Sequence, residues 1–159
     1  MLTIHAADEV RYTWDGTERV EDGAVAVEGG RVAAVGPLAE LVERFPAARV
    51  RRWPGVLGPA RIHEGPLPDA PSPRERIHAV LKLGAVAVVE AYADSPELRA
   101  AAARNDVLVL ADPQPHPQRQ PHPQPPAIRE TGRADLAVFD ETGACIATVC
   151  AGRLVHRRR

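Results

Sequence analysis

Aromatic side chains are scarce: Phe, Trp and Tyr make up 4 % of the 159 residues. Val, Ala and Leu must therefore build the core, and a hydrophobic share of 45 % is enough for one folded domain. Net charge is nearly absent, at -1. Without a basic stripe, a nucleic-acid partner is not expected. The one short basic run, Arg157 to Arg159, reads as a solvated end. No apolar run approaches the ~20 residues that span a bilayer. The start, Met1-Leu2-Thr3-Ile4-His5, lacks the basic-then-apolar pattern of a secretory signal. A cytoplasmic protein with no membrane partner is expected. Cysteine is nearly lacking as well. Cys145 and Cys150 fall on one predicted strand, an odd number of positions apart, so alternation places them on opposite faces, unbridged. Two reduced thiols fit a reducing compartment.

What is present divides into three parts. The first, to about Trp53, reads as β structure. Leu2 to Ala7 is a strand, and Glu9 to Thr13 extends it past a kink. Gly23 to Glu28 and Arg31 to Val35 are strand-like runs joined by Gly29-Gly30. That pattern predicts a hairpin whose primed turn needs positive φ at both central residues. Leu38 to Arg44 predicts a short helix burying Leu38, Leu41, Val42 and Phe45, and Pro46 stops it. Ala48 to Trp53 is another strand, which Pro54-Gly55 should break.

The second part opens with a Gly/Pro-rich stretch, Gly55 to Pro73. A helix over Pro73 to Leu83 follows, with Ile77, Val80 and Leu81 on one face. Ala85 to Val89 is a continuous apolar run, the mark of a strand covered on both sides. Ser95-Pro96-Glu97 starts a second helix: a capping hydroxyl, a proline in the first turn and an acid at the positive dipole end. That helix runs to about Arg104, with Asn105 as its C-terminal cap. Val107 to Leu110 is a second buried-type strand, parallel to the first through a helical crossover. Residues 113 to 126 hold only Pro, Gln, His and one Arg, with Pro-His-Pro-Gln twice. They predict an extended linker without a core. The third part is β again: Ala134 to Asp140, a turn at Glu141-Thr142-Gly143, Ala144 to Ala151, and Leu154 to His156.

Four segments resemble, in order, the signatures of the metal-dependent amidohydrolases, of the imidazolonepropionase and aminodeoxyfutalosine deaminase type. Gly29 to Gly36 is similar to their early hairpin, and Trp53-Pro54-Gly55-Val56-Leu57 to the approach to their barrel. Gly132 to Asp140 and Thr148 to Val155 are similar to their closing strands. Val80 to Val89 resembles a helix–strand unit of their barrel. The resemblance implies an α+β fold. A mixed, β-sandwich-like composite domain would form from residues 1–54 and 128–159. A small helix–strand–helix–strand insert over 55–112 and a Pro/Gln/His linker over 113–127 would stand in place of a (β/α)₈ barrel. It also implies a structural role for Asp135 near the junction with the insert.

The family's acid and His-x-His should follow Pro-Gly-Val-Leu, yet those histidine positions hold Ala60 and Ile62. His63 comes one place late, which on a strand turns it to the other face. Only about 75 residues separate the matching ends, against the 200 or more of a full barrel. A hydrolytic metal site needs about three protein ligands and an open position. None of the six histidines forms a ligand-spaced pair on a regular element. His63 and Glu64, in a loop, and His116 and His122, in the linker, are the remaining metal candidates. No catalytic residue and no cofactor is assigned. Cys145 and Cys150 lack any activating signature, and Glu90 and Asp94 read as loop acids after a strand. Three functions stay open. The first is a non-catalytic accessory or binding module, partnered by a second copy or by a full-length amidohydrolase. The second is a hydrolase for carbon–nitrogen bonds, active only with a partner subunit. The third is a binder of a small ligand in the cleft between the β part and the insert.

Overall fold

A computed structural model describes residues 1–111 and 125–158. His116 and His122, and most of the expected linker, lie outside the described residues. The first half contributes β1 (Leu2–Arg11), β2 (Arg19–Glu21), β3 (Gly23–Glu28), β4 (Arg31–Pro37), α1 (Leu38–Arg44) and β5 (Arg49–Pro59). The insert supplies β6 (Arg61–His63), α2 (Pro73–Lys82), β7 (Ala85–Val89), α3 (Pro96–Arg104) and β8 (Leu108–Leu110). The end of the chain supplies β9 (Leu136–Phe139), β10 (Cys145–Cys150) and β11 (Arg153–Arg157). The protein is α+β: the two ends share one mixed sheet, and no barrel closes among the described residues.

That sheet has the order β11-β10-β9-β5-β1-β3-β4, with β2 on β1. β5 is its hinge, parallel to β1 on one edge and antiparallel to β9 on the other. The expectation that Pro54-Gly55 ends this strand is corrected: β5 runs through both. Ala7 pairs with Trp53 but Glu9 with Val56, so β5 holds one extra residue there, a bulge. A proline fits at a bulge, where its missing N–H breaks no ladder bond. Gly55 adopts φ +101°, and a Cβ on it would strike the Phe139 carbonyl. Its N–H is held by the Asp8 carboxylate at 2.9 Å. Backbone hydrogen bonds then roll the sheet on itself. Val32 donates to Gly132, Ala134 to Gly30 and Gly152 to Ala134. Residues of β1, β3, β4, β5, β9 and β10 consequently meet in one core around Val10, Val25, Leu57 and Leu136.

The β3–β4 hairpin forms as expected, but its turn does not have two positive φ values. Gly29 has φ +60° and Gly30 is not positive, the signs of a type II′ turn. On α1, Leu41 is buried while Val42 is exposed, so Val42 leaves the expected core face.

The insert is a three-stranded parallel sheet, β6-β7-β8, covered on one face by α2 and α3. β6 was hidden in the Gly/Pro-rich stretch. Ser72 caps α2 through Glu75 N–H, and Ser95 caps α3 through Leu98 N–H. Asn105 closes α3 by donating its side-chain amide to the Ala101 carbonyl at 2.8 Å. β7 is buried along its whole length, as its apolar run predicts. β8 is not the buried strand expected: Leu108 is 43 % exposed, and among the described residues β8 is an edge with one neighbour.

β9 ties the two layers together. Leu136 and Val138 face the core of the large sheet, while Ala137 and Phe139 face α2 and α3. β10 does the same with a twist in its register. Cys145 pairs with Phe139 but Ala147 with Val138, so a bulge interrupts the alternation. Cys145, Thr148 and Cys150 therefore share the face toward the helices, and the expectation of opposite faces for the two cysteines is corrected. Both are free thiols. Buried Thr148 donates its hydroxyl to the Leu81 carbonyl at 2.7 Å, fastening the end of α2 to the large sheet.

Candidate functional site

By the family resemblance, the barrel-type ligands would stand at and beside the start of β6. Ala60, just before it, is buried, and its N–H donates to the Asp135 carbonyl at 3.0 Å. Ile62 occupies the middle of β6. His63 is the last residue of this strand rather than part of a loop, and its ring Nε2 bonds the Pro66 carbonyl at 2.8 Å. Glu64 is exposed beyond the strand end. Glu90 and Asp94, after β7, are exposed too. Among the described residues, no three His, Cys, Asp or Glu side chains gather in a way that could hold a metal ion. Of the four metal candidates, His63 and Glu64 are adjacent in sequence, with the His63 ring bonded to the Pro66 carbonyl and Glu64 exposed.

Asp135 sits at the junction of the two layers. Its carboxylate takes the Arg133 Nε–H at 3.0 Å and the Ala151 N–H at 2.9 Å. Burial raises its pKa, and those two bonds oppose the rise. Arg133 also reaches the Asp106 carbonyl and Cys150 Sγ, at 3.1 Å for the latter. This cluster clamps the α3–β8 turn to the closing strands, a structural use of the aspartate.

One concavity between the two layers lies along β6, against the end of α2 and the β9–β10 turn. It is an open cleft of about 550 Å³. Arg61, His63, Lys82 and Arg158 reach its walls, with Leu83 and Phe139 among its apolar surface. The Arg61 guanidinium lies 4.1 Å from the Phe139 ring centre and 5.0 Å from that of Trp14. The two rings meet edge to face at 5.3 Å, and Trp14 Nε1 donates to the Pro59 carbonyl at 2.7 Å. Arg158 is tied to Asp140 at 2.9 Å. The Thr142 hydroxyl, first among several donors, holds that carboxyl down to about 2. Cys145 lines the cleft, but burial pushes its pKa up, so it stays a thiol and a poor nucleophile at neutral pH. No local pattern pointed to Arg61, Trp14 and Phe139 as a set, since they lie far apart in the chain and meet only through tertiary folding. A second groove, of about 710 Å³, runs between α1 and the β5 bulge and carries Asp8, Glu21 and Asp22.

Against known proteins, residues 23–48 match the family model of the imidazolonepropionase-like composite domain of bacteria. That span includes the whole β3–β4 hairpin. No curated protein matches in sequence. Among solved structures, the chain is similar to an adenosine deaminase from Xanthomonas campestris, with TM-score 0.51 and 20 % identity, over 64 % of this chain and 31 % of that one. It is similar to the ochratoxinase of A. niger, with TM-score 0.51 and 18 % identity, over 70 % and 31 %. It is also similar to the guanine deaminase of E. coli, with TM-score 0.51 and 15 % identity, over 70 % and 35 %. The chain thus spans about a third of the length of these proteins, and at such identities the likeness is one of fold. The rolled sheet made from both chain ends and the three parallel strands give this protein a fold similar to part of these structures, and its β3–β4 hairpin lies in the span that matches the imidazolonepropionase-like composite domain.

Proposed function

We propose that the chain is a non-catalytic accessory or binding module of the imidazolonepropionase-like composite type. Its partner is a second copy of itself or a full-length amidohydrolase. The observation that carries this reading is the small parallel sheet. Among the described residues it stops at three strands, so β6 and β8 are both edges. An unpaired strand edge is a template for another chain's backbone, and Leu108 on β8 adds exposed apolar surface. Ala60 and Ile62 at the positions of the family's first two histidines argue in the same direction. The proposal keeps a composite part (1–54 and 128–159), an α/β insert (55–112) and a linker (113–127), with β5 carrying its pairing on to Pro59. It places the protein in the cytoplasm, consistent with two free cysteines. No helix among the described residues is long and apolar enough to cross a membrane.

Size-exclusion chromatography with light scattering, alone and mixed with a full-length amidohydrolase from the same cell, tests the proposal. A dimer or a co-eluting complex is expected. Leu108→Lys should weaken it about tenfold, because a charge on an edge strand blunts pairing. A monomer that captures neither partner at high micromolar concentration would sink the idea.

A second reading is favoured by the names of the matched structures, two of which are deaminases. In it the chain is part of a hydrolase for carbon–nitrogen bonds, completed by a partner subunit. Metal analysis and deaminase assays of any complex decide between the two. Activity that needs both subunits supports the second, whereas an assembled complex whose turnover equals that of the partner alone supports the first.

A further inference from the structure

We infer that the cleft beside β6 is a binding site for a small organic oxyanion, a carboxylate or phosphate borne on an apolar body. Four basic side chains reach it, and no aspartate or glutamate is among its lining residues. Arg158 is neutralised by Asp140, and the His63 ring is held by a carbonyl. Arg61 and Lys82 remain, and neither has an ion-pair partner among the described residues. Two uncompensated cations on one concave wall make a field that an anion would relieve.

Arg61 is the better placed of the two. Phe139 and Trp14 hold its guanidinium through the π faces, so the planar fork is oriented without any carboxylate engaging its N–H groups. Such a fork suits the paired oxygens of a carboxylate or phosphate. Lys82, at the end of α2, adds a flexible point charge. The apolar wall supplies the rest: Leu83 lines the cleft and is 51 % exposed, apolar surface that a bound ligand would take from water. Beside that surface each charge acts through a lower dielectric than in bulk water. The volume, about 550 Å³, lies within the range of small-molecule sites. This inference does not depend on a protein partner, since every group in it belongs to one chain.

Amide chemical shifts of the ¹⁵N-labelled full chain test it. Inorganic phosphate and benzoate are titrated separately, each against sodium chloride at matched ionic strength. Saturable shifts at His63, Lys82, Gly143 and Ala144 are expected with at least one of them. A response to benzoate alone identifies the carboxylate as the group bound, and a response to phosphate alone identifies the phosphate. Lys82→Gln, at an exposed position, should weaken binding about tenfold without changing the fold. Arg61→Lys keeps the charge but loses the fork, and should weaken it by a similar factor. Shifts no larger than those with chloride would show a merely solvated basic face and overturn the inference. So would unchanged affinity in both variants.

Discussion

His5 is a titratable side chain buried in the large sheet. It is buried on β1, stacks on Trp53 and accepts the Trp53 indole N–H on Nδ1 at 3.2 Å. Burial, helped by the Arg51 charge, pushes its pKa from 6.5 to about 4. The folded protein therefore resists protonating His5 where the unfolded chain accepts it. Its contribution to stability is complete above about pH 6.5, declines as pH falls toward about 4, and levels off below, a total of ~3 kcal/mol. Urea midpoints between pH 7 and 4 should fall accordingly, and the His5 ring signal should not titrate until near pH 4. A ring titrating at about 6.5 would contradict this. Gly55 is the second residue of consequence. Gly55→Ala meets both a positive φ and the Phe139 carbonyl, so a loss of about 2 kcal/mol or more is expected in urea unfolding.

At the level of elements, α2 is held at both ends by hydroxyls. Ser72 caps its start, and Thr148 takes the Leu81 carbonyl near its end. Ser72→Ala should cost about 1 kcal/mol. Thr148→Val should cost about 0.5–1.5 kcal/mol, because the valine keeps the shape but removes the hydroxyl's bond, leaving the Leu81 carbonyl only the Gly84 N–H. Equilibrium unfolding checks both, and a Thr148→Val protein as stable as the parent would deny that this bond fastens the layers. Ile77 and Leu81 fill the space between α2 and β10, so Leu81→Ala should cost some 2–5 kcal/mol.

Considered whole, the molecule is two sheets with no strand in common, joined through one shared core. Phe139, Ala137 and Cys150 belong to the large sheet yet pack among residues of α2, α3 and β7. A single cooperative transition is expected, since the core of the insert is completed by β9 and β10 of the large sheet. The two tryptophans allow a direct check. Trp14 reports the contact of the layers and Trp53 the large sheet. In Trp14→Phe and Trp53→Phe, fluorescence and far-ultraviolet circular dichroism should each give one midpoint. Separate midpoints within either variant would mean that the layers unfold independently.

Local pattern alone determined a good deal: the β3–β4 hairpin, the capped starts of α2 and α3, the buried run of β7 and the four segments that resemble a composite domain. These depend on neighbours within a few positions, where hydrophobic period and capping chemistry act. Only the tertiary structure decided the rest. β5 crosses Pro54-Gly55 because Asp8 and Phe139, both remote in sequence, stabilise the bulge. A bulge in β10 turns Cys145 to the side of Cys150, against simple alternation. β6 exists because the Arg61 N–H finds the Gly84 carbonyl, and the basic cleft exists because Arg61, Lys82 and Phe139 converge from three elements. Hydrogen-bond partners and charge neighbours contributed from distant parts of a chain leave no period to read.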